Sequence, residues 1–169
     1  MVPQSVAAEE TENDPVSRKM SEIKTILVPV DFSANTTRVL SYALTLARDL
    51  GAMLHVLHVV HDLRAYTGVY ITDVPLDTLQ KSMEEEARAQ MEKLQQRYLS
   101  DFPSHVTRVL TGSPFLEIIR YAKEIQADMI VIGAHGAPKP EHALFGSTVD
   151  RVVKTAPCPV TVVRGEREA

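Results

Sequence analysis

The sequence predicts a parallel α/β fold, on two observations. Short apolar runs alternate with longer stretches whose apolar residues recur at helical spacing, the pattern of repeated strand–helix units. The short runs are apolar throughout instead of at every second residue, as strands are when helices cover both faces of a parallel sheet. Right-handed crossovers follow from that arrangement. The expected architecture is an open five-stranded parallel sheet with helices on both faces.

The elements follow in chain order. Residues 1–19 contain two prolines and no spaced apolar stripe, and predict a disordered tail. Glu9, Glu10, Glu12 and Asp14 against Arg18 and Lys19 leave that tail at −2. Residues 20–169 form the folded domain, and Met20 is a candidate alternative start. Lys24–Asp31 reads as the first strand. Ser33 is a candidate cap for a helix with Val39, Leu40, Ala43, Leu44, Ala47 and Leu50 on its apolar stripe, stopped by Gly51. Met53–Val60 is the second strand, and a loop over 61–74 carries Gly68, Tyr66 and Tyr70.

A long helix is expected from about Leu76 to Ser100, with Leu79, Met83, Ala87, Met91, Leu94 and Tyr98 on one face. The acidic run Glu84–Glu86 reads as a solvated face near its start, with Arg88 placed to pair with Glu84. His105–Leu110 is the third strand. Pro114–Gln126 is the third helix, with Leu116, Ile119 and Ala122 among its buried positions. Asp128–Gly133 is the fourth strand, Gly146–Thr155 the fourth helix and Val160–Arg164 the fifth strand.

Composition narrows the function. Of 169 residues, 44% are hydrophobic and 24% charged, which argues against wholesale disorder. No apolar run approaches the roughly 20 residues that span a bilayer, and no continuous apolar segment marks a secretory signal. The expected location is the cytoplasm. A net charge of −4 lacks the basic footprint of a nucleic-acid binder. The single cysteine, Cys158, has no partner for an internal disulfide or a CxxC site. It lies between two prolines and is expected to pack as a small apolar residue.

Glycine is scarce, with seven in the chain where the average usage of about 7% would give about twelve. Three of them stand close together in the order Gly133-Ala134-His135-Gly136, nine residues, Gly146-Ser147. The context is a strand end, a loop and the first turn of a helix. Glycine permits close backbone approach, and a helix N-terminus offers unpaired N–H groups with partial positive charge. Together they make a phosphate cradle with Ser147 as a hydroxyl donor. Alternatively, the glycines only turn the chain and Ser147 only caps the helix. Neither G-x-G-x-x-G nor G-x-x-x-x-G-K-[ST] occurs.

Asp31 ends the first strand as Gly133 ends the fourth. Ligands of open parallel sheets bind outside the carboxyl ends of strands, at the switch point. A carboxylate there accepts a hydrogen bond from a base amine or a ribose hydroxyl, or else caps the following helix. His55, His58 and His61 resemble a metal cluster by count, but His55 and His58 point to opposite faces of a strand and do not converge on one ion. His135 touches a phosphate or stabilises its loop. No nucleophile–base–orienter set of the kind hydrolases use is evident.

Several separated motifs now carry a resemblance. VPVDFS at 28–33, G-x2-G-x9-G-[ST] at 133–147, GSTVDRVV at 146–153, APCPVTVV at 156–163 and LTGSPFLEIIRYAKEIQADMIVIG at 110–133 resemble the universal stress protein family over about Ile23 to Val163. The glycine spacing is that of the family's ATP-binding branch; another branch lacks it. The resemblance implies strand order 3-2-1-4-5. It implies that Pro29, Val30 and Asp31 frame an adenosine and that Val59 offers backbone contacts to adenine. It implies that Ile132, Gly133, His135 and Gly136 line the ribose and phosphate loop, and that Gly146, Ser147, Thr148 and Val149 bind phosphates. Thr148 and Val149 reverse the usual order after Gly-Ser, and Pro138 and Pro140 give the nine-residue loop its own path.

The function expected from the resemblance is that of a regulatory module of the stress response that binds ATP with Mg²⁺. A slow ATPase or self-phosphorylating enzyme using the same cleft, and a nucleotide-free interaction module, are the alternatives. Val160–Val163 is expected at the sheet edge, where unpaired backbone groups invite a second chain. The resemblance implies a homodimer through this strand.

Overall fold

The computed structural model describes residues 22–65, 75–136 and 145–165. The expected tail at 1–19 lies outside the described residues, as do Tyr66, Gly68, Tyr70, Pro138, Lys139, Pro140 and His142.

Five strands, β1 (Thr25–Pro29), β2 (Met53–His61), β3 (His105–Gly112), β4 (Met129–Gly133) and β5 (Val160–Val163), form one sheet. Every pairing is parallel and the order is β3-β2-β1-β4-β5. In register, Ile26 stands beside Leu54 on one side and beside Met129 on the other. Asp128 secures the start of β1, accepting hydrogen bonds on Oδ2 from the Lys24 and Thr25 amides at 2.9 and 3.0 Å. Among the described residues the α-helices are α1 (Thr36–Leu50), α2 (Leu76–Leu94), α3 (Pro114–Glu124) and α4 (Ser147–Thr155).

Because successive side chains of a strand point to opposite faces, the apolar strands build two cores. Ile26, Val28, Leu54 and Val56 face α1 and α2, meeting Val39, Leu40, Ala43, Met91 and Leu94. Leu27, Leu57, Ile130 and Ile132 face the other way, onto Ile118, Tyr121 and Ala122 of α3 and Val149 and Val152 of α4. Each fully buried aliphatic side chain contributes about 1.5–3 kcal/mol. Cys158 packs at the margin of the second core, and burial pushes its thiol pKa up.

Several local expectations are corrected. Ser33 does not cap α1: the helix begins at Thr36 with Asn35 at the cap position, and no side chain supplies a cap bond. β1 ends at Pro29 rather than Asp31, so Asp31 belongs to the turn. Leu50 and Leu116 are 47% and 55% exposed. Leu116 lies two residues from buried Ile118, about 200° around the helix, and therefore faces outward. Helix α2 runs into a π-helical turn over Gln95–Leu99. The wider turn shifts the helical phase, so Leu99 is fully buried while Tyr98 is only half-buried.

The acidic run is not uniformly solvated. Glu84 turns inward, where its Oε1 accepts hydrogen bonds from the Thr111 hydroxyl at 2.9 Å and the Gln80 amide at 3.3 Å. The expected Arg88–Glu84 pair is present at 3.4 Å. The Thr111 bond is the main reason the Glu84 carboxyl sits below its usual pKa. Gln80 is itself buried and accepts the Leu63 amide at 3.0 Å. This polar chain ties α2 to the ends of β2 and β3.

Candidate functional site

In a parallel sheet all strands end on the same edge, and every crossover helix starts there. At this edge a crevice of about 650 Å³ opens across the ends of β1, β2 and β4, a volume typical of small-molecule sites. The order β2-β1-β4 makes it the switch point, since the chain leaves β1 for β2 on one side while β4 lies on the other. The N-terminal residues of α1, α3 and α4 border it through Thr36, Pro114 and Ser147. Among the described residues, no cap-position side chain bonds the first turn of any of the three helices. Their first-turn N–H groups and partial positive charge suit an anion.

The structure brings all twelve residues singled out in the sequence to this crevice. Pro29, Val30 and Asp31 line it from the β1 end and Val59 from β2. Ile132, Gly133, His135 and Gly136 line it from the β4 end. Gly146, Ser147, Thr148 and Val149 line it from the start of α4. A hydrogen bond from the Gly146 amide to the Ala134 carbonyl, 2.9 Å, joins the two ends of the glycine segment.

Three glycines play three different parts. A Cβ on Gly133 would lie 2.8 Å from Asn35 Nδ2 and 3.2 Å from Val39 Cγ2, so helix α1 packs directly on the backbone there. A Cβ on Gly136 would collide with Asp31 Oδ2. A Cβ on Gly146 would meet nothing nearer than 3.8 Å, and its φ of −66° is open to any residue.

Asp31 does not cap α1 but ties the turn before it and faces the crevice. Its Oδ1 accepts the Ser33 amide at 3.1 Å and the Thr36 hydroxyl at 3.4 Å, organising the entry to α1. Its Oδ2 faces the glycine loop, and the residue is exposed at the crevice.

Other lining residues were not evident from spacing. Phe32, with φ +59°, Ser33 and Asn35 line the β1–α1 turn, and Met83, Glu86 and Gln90 come from α2. Among the described residues, Ser33 Oγ and Asn35 Oδ1 are buried without a protein partner. The short VPVDFS motif held a signal for the turn residues; nothing in the spacing of α2 pointed to this edge.

The histidines separate as expected. His55 reaches the Tyr121 hydroxyl at 3.1 Å on the α3 side, while His58 Nδ1 donates to the Val30 carbonyl at 2.8 Å on the opposite face. Burial holds both imidazoles below their ordinary pKa. For His58 the Val30 bond and the Asp31 carboxylate oppose that shift, and His61 adds to it.

Comparison with known proteins agrees with this geometry. The universal stress protein family profile matches residues 22–164. A universal stress protein from Thermus aquaticus is 31% identical over 141 residues, covering 83% of this chain and 98% of its own. Universal stress protein UspA from Lactobacillus plantarum superposes with a TM-score of 0.74 at 34% identity, covering 85% of this chain and 99% of that one. A universal stress protein from Archaeoglobus fulgidus, solved in complex with dAMP, gives a TM-score of 0.57 at 25% identity over 82% of this chain and 96% of its own. Strand order, crevice and sequence matches from one end of the described chain to the other thus converge, and the chain belongs to the universal stress protein family.

Proposed function

We propose that this chain binds ATP with Mg²⁺ in the crevice and acts as a nucleotide-dependent regulatory module of the stress response. The observation that carries this reading is Gly146. Neither its backbone angles nor its neighbours demand glycine, yet it stands at the uncapped start of α4, where a phosphate approaches the backbone most closely when no side chain intervenes. The complex of the Archaeoglobus relative with dAMP supports an adenine nucleotide as the ligand class.

On this reading, Pro29, Val30 and Asp31 would hold the adenosine, and Val59 would meet the adenine through its backbone. Ile132, Gly133, His135 and Gly136 would line the ribose and the phosphate loop. Gly146, Ser147, Thr148 and Val149 would take the phosphates through amides and hydroxyls. Mg²⁺ commonly binds through one or two carboxylates together with substrate phosphates and water. Among the described residues no group of three or more His, Cys, Asp and Glu side chains converges, so the ion would enter with the phosphates. Such a cradle holds phosphate in its ground state, whereas fast transfer needs an oriented nucleophile and charge placed for the transition state. Occupancy, rather than turnover, then carries the signal.

The same proposal includes a homodimer through β5. This strand pairs with β4 on one side and forms the sheet edge on the other. An isologous antiparallel pairing satisfies both exposed edges at once.

Release and chromatography of nucleotide from the purified chain, followed by calorimetric titration of the emptied protein with ATP and Mg²⁺, tests the ligand. Stoichiometric adenine nucleotide and saturable ATP binding are expected. Absence of ATP binding to the emptied, folded protein would overturn the reading.

A further inference from the structure

One side chain of β2, His58, contacts two residues of the turn that leaves β1. Val30 is buried, and its carbonyl accepts a hydrogen bond from His58 Nδ1 at 2.8 Å. The same imidazole lies against the Phe32 ring, with centroids 4.3 Å apart and planes 32° from parallel. Phe32 has φ +59°, a left-handed conformation that bulky L residues avoid. Such a residue persists where its surroundings hold it.

Asp31 stands between these two anchored neighbours. Its Oδ1 takes the Ser33 amide and the Thr36 hydroxyl, and its Oδ2 fills the space that a Gly136 side chain would need. The fit leaves little freedom. A shift of the Val30–Phe32 turn moves the carboxylate into the glycine loop or away from it. His58 also lines the crevice, but its hydrogen bond and its ring contact are both to the turn.

We infer that His58 is a positioning residue: by gripping the Val30 carbonyl and the Phe32 ring, it sets where Asp31 stands and thereby the affinity of the crevice for nucleotide. The affinity part rests on the nucleotide reading above; the placement of Asp31 does not.

Two substitutions separate the contacts. H58L removes the hydrogen bond and the ring while keeping apolar volume. H58N restores a donor, because an asparagine amide nitrogen reaches the place of Nδ1. Titration with a fluorescent ATP analogue should show H58L weakened at least tenfold, about 1.4 kcal/mol, and H58N within threefold of the parent. In nucleotide-free protein, the Asp31 and Phe32 amide resonances should move in H58L and return towards their original positions in H58N.

Parent-like affinity of H58L with unmoved Asp31 and Phe32 resonances would overturn the inference. So would equal weakening of both variants in step with equal losses of thermal stability, the mark of a merely structural role. If H58L does not fold, H58F keeps ring and volume without the donor and is held to the same affinity and resonance criteria. A parent that binds no ATP analogue sinks the nucleotide reading and the affinity part with it, while the amide resonances still judge the placement of Asp31.

Discussion

The Asp31 carboxylate occupies the space that a Cβ on Gly136 would take, so the ends of β1 and β4 meet through a side chain on one and the lack of one on the other. Asp31 is held in place by the Ser33 amide and the Thr36 hydroxyl. A side chain at 136 would therefore have to displace the protein's own carboxylate, apart from any ligand.

Replacing Gly136 with alanine should displace Asp31 without unfolding the chain, because the obstructing atom is the end of a flexible side chain. Titration calorimetry should show ATP affinity reduced about tenfold, or about 1.4 kcal/mol. In a D31A background the same change has no carboxylate to displace. The two substitutions should thus be non-additive in a double-mutant cycle, with a coupling of about 1 kcal/mol. Simple additivity would mean that the collision does not matter to binding.

Gly146→Ala separates ligand approach from packing. The added methyl has room, so urea denaturation should report a loss below about 1 kcal/mol, the scale of a weak helix cap. ATP affinity should nevertheless fall about tenfold. Unchanged affinity would remove the phosphate from the start of α4.

Acid should destabilise the fold through its histidines. His55 and His58 are held below their ordinary pKa, in both cases chiefly by burial. The unfolded chain then binds more protons than the native one. The stabilisation is complete above the unfolded value of about 6.5 and is lost as pH falls through the lower folded values. Urea midpoints should decline from pH 7.5 towards pH 5, and His55→Phe should flatten part of that decline. A midpoint independent of pH across this range would contradict it.

Light scattering at micromolar concentration should report a dimer. Thr161→Lys places a charge on the β5 edge at a position outside both apolar cores, a common means of blocking strand pairing, and should yield a monomer with unchanged far-ultraviolet circular dichroism. A monomeric parent would exclude assembly through β5.

Much of this protein was legible because its sequence patterns report local physics. Continuous apolar runs such as MIVIG announce strands buried on both faces, and Gly51, with φ +65°, ends α1 as a left-handed residue should. The spacing of Gly133, Gly136 and Gly146 marked one side of the crevice, since strand end, loop and helix start are contiguous in the chain. The inward turn of Glu84 was not legible, because Thr111 lies 27 positions away. Leu99 was missed because a π-helical turn breaks the regular period on which the reading relied.

The alternation of strands and helices, the parallel sheet and the glycine segment at a strand end could be read along the chain, because each depends on neighbours within a few residues. Tertiary structure alone decided that Asp31 would stand against Gly136 and that His58 would grip Val30 and Phe32. Those contacts join residues 105, 28 and 26 positions apart along the chain. They come into being only when β2, β1 and β4 pair side by side and bring their ends to one edge, a distance relation that no local period records.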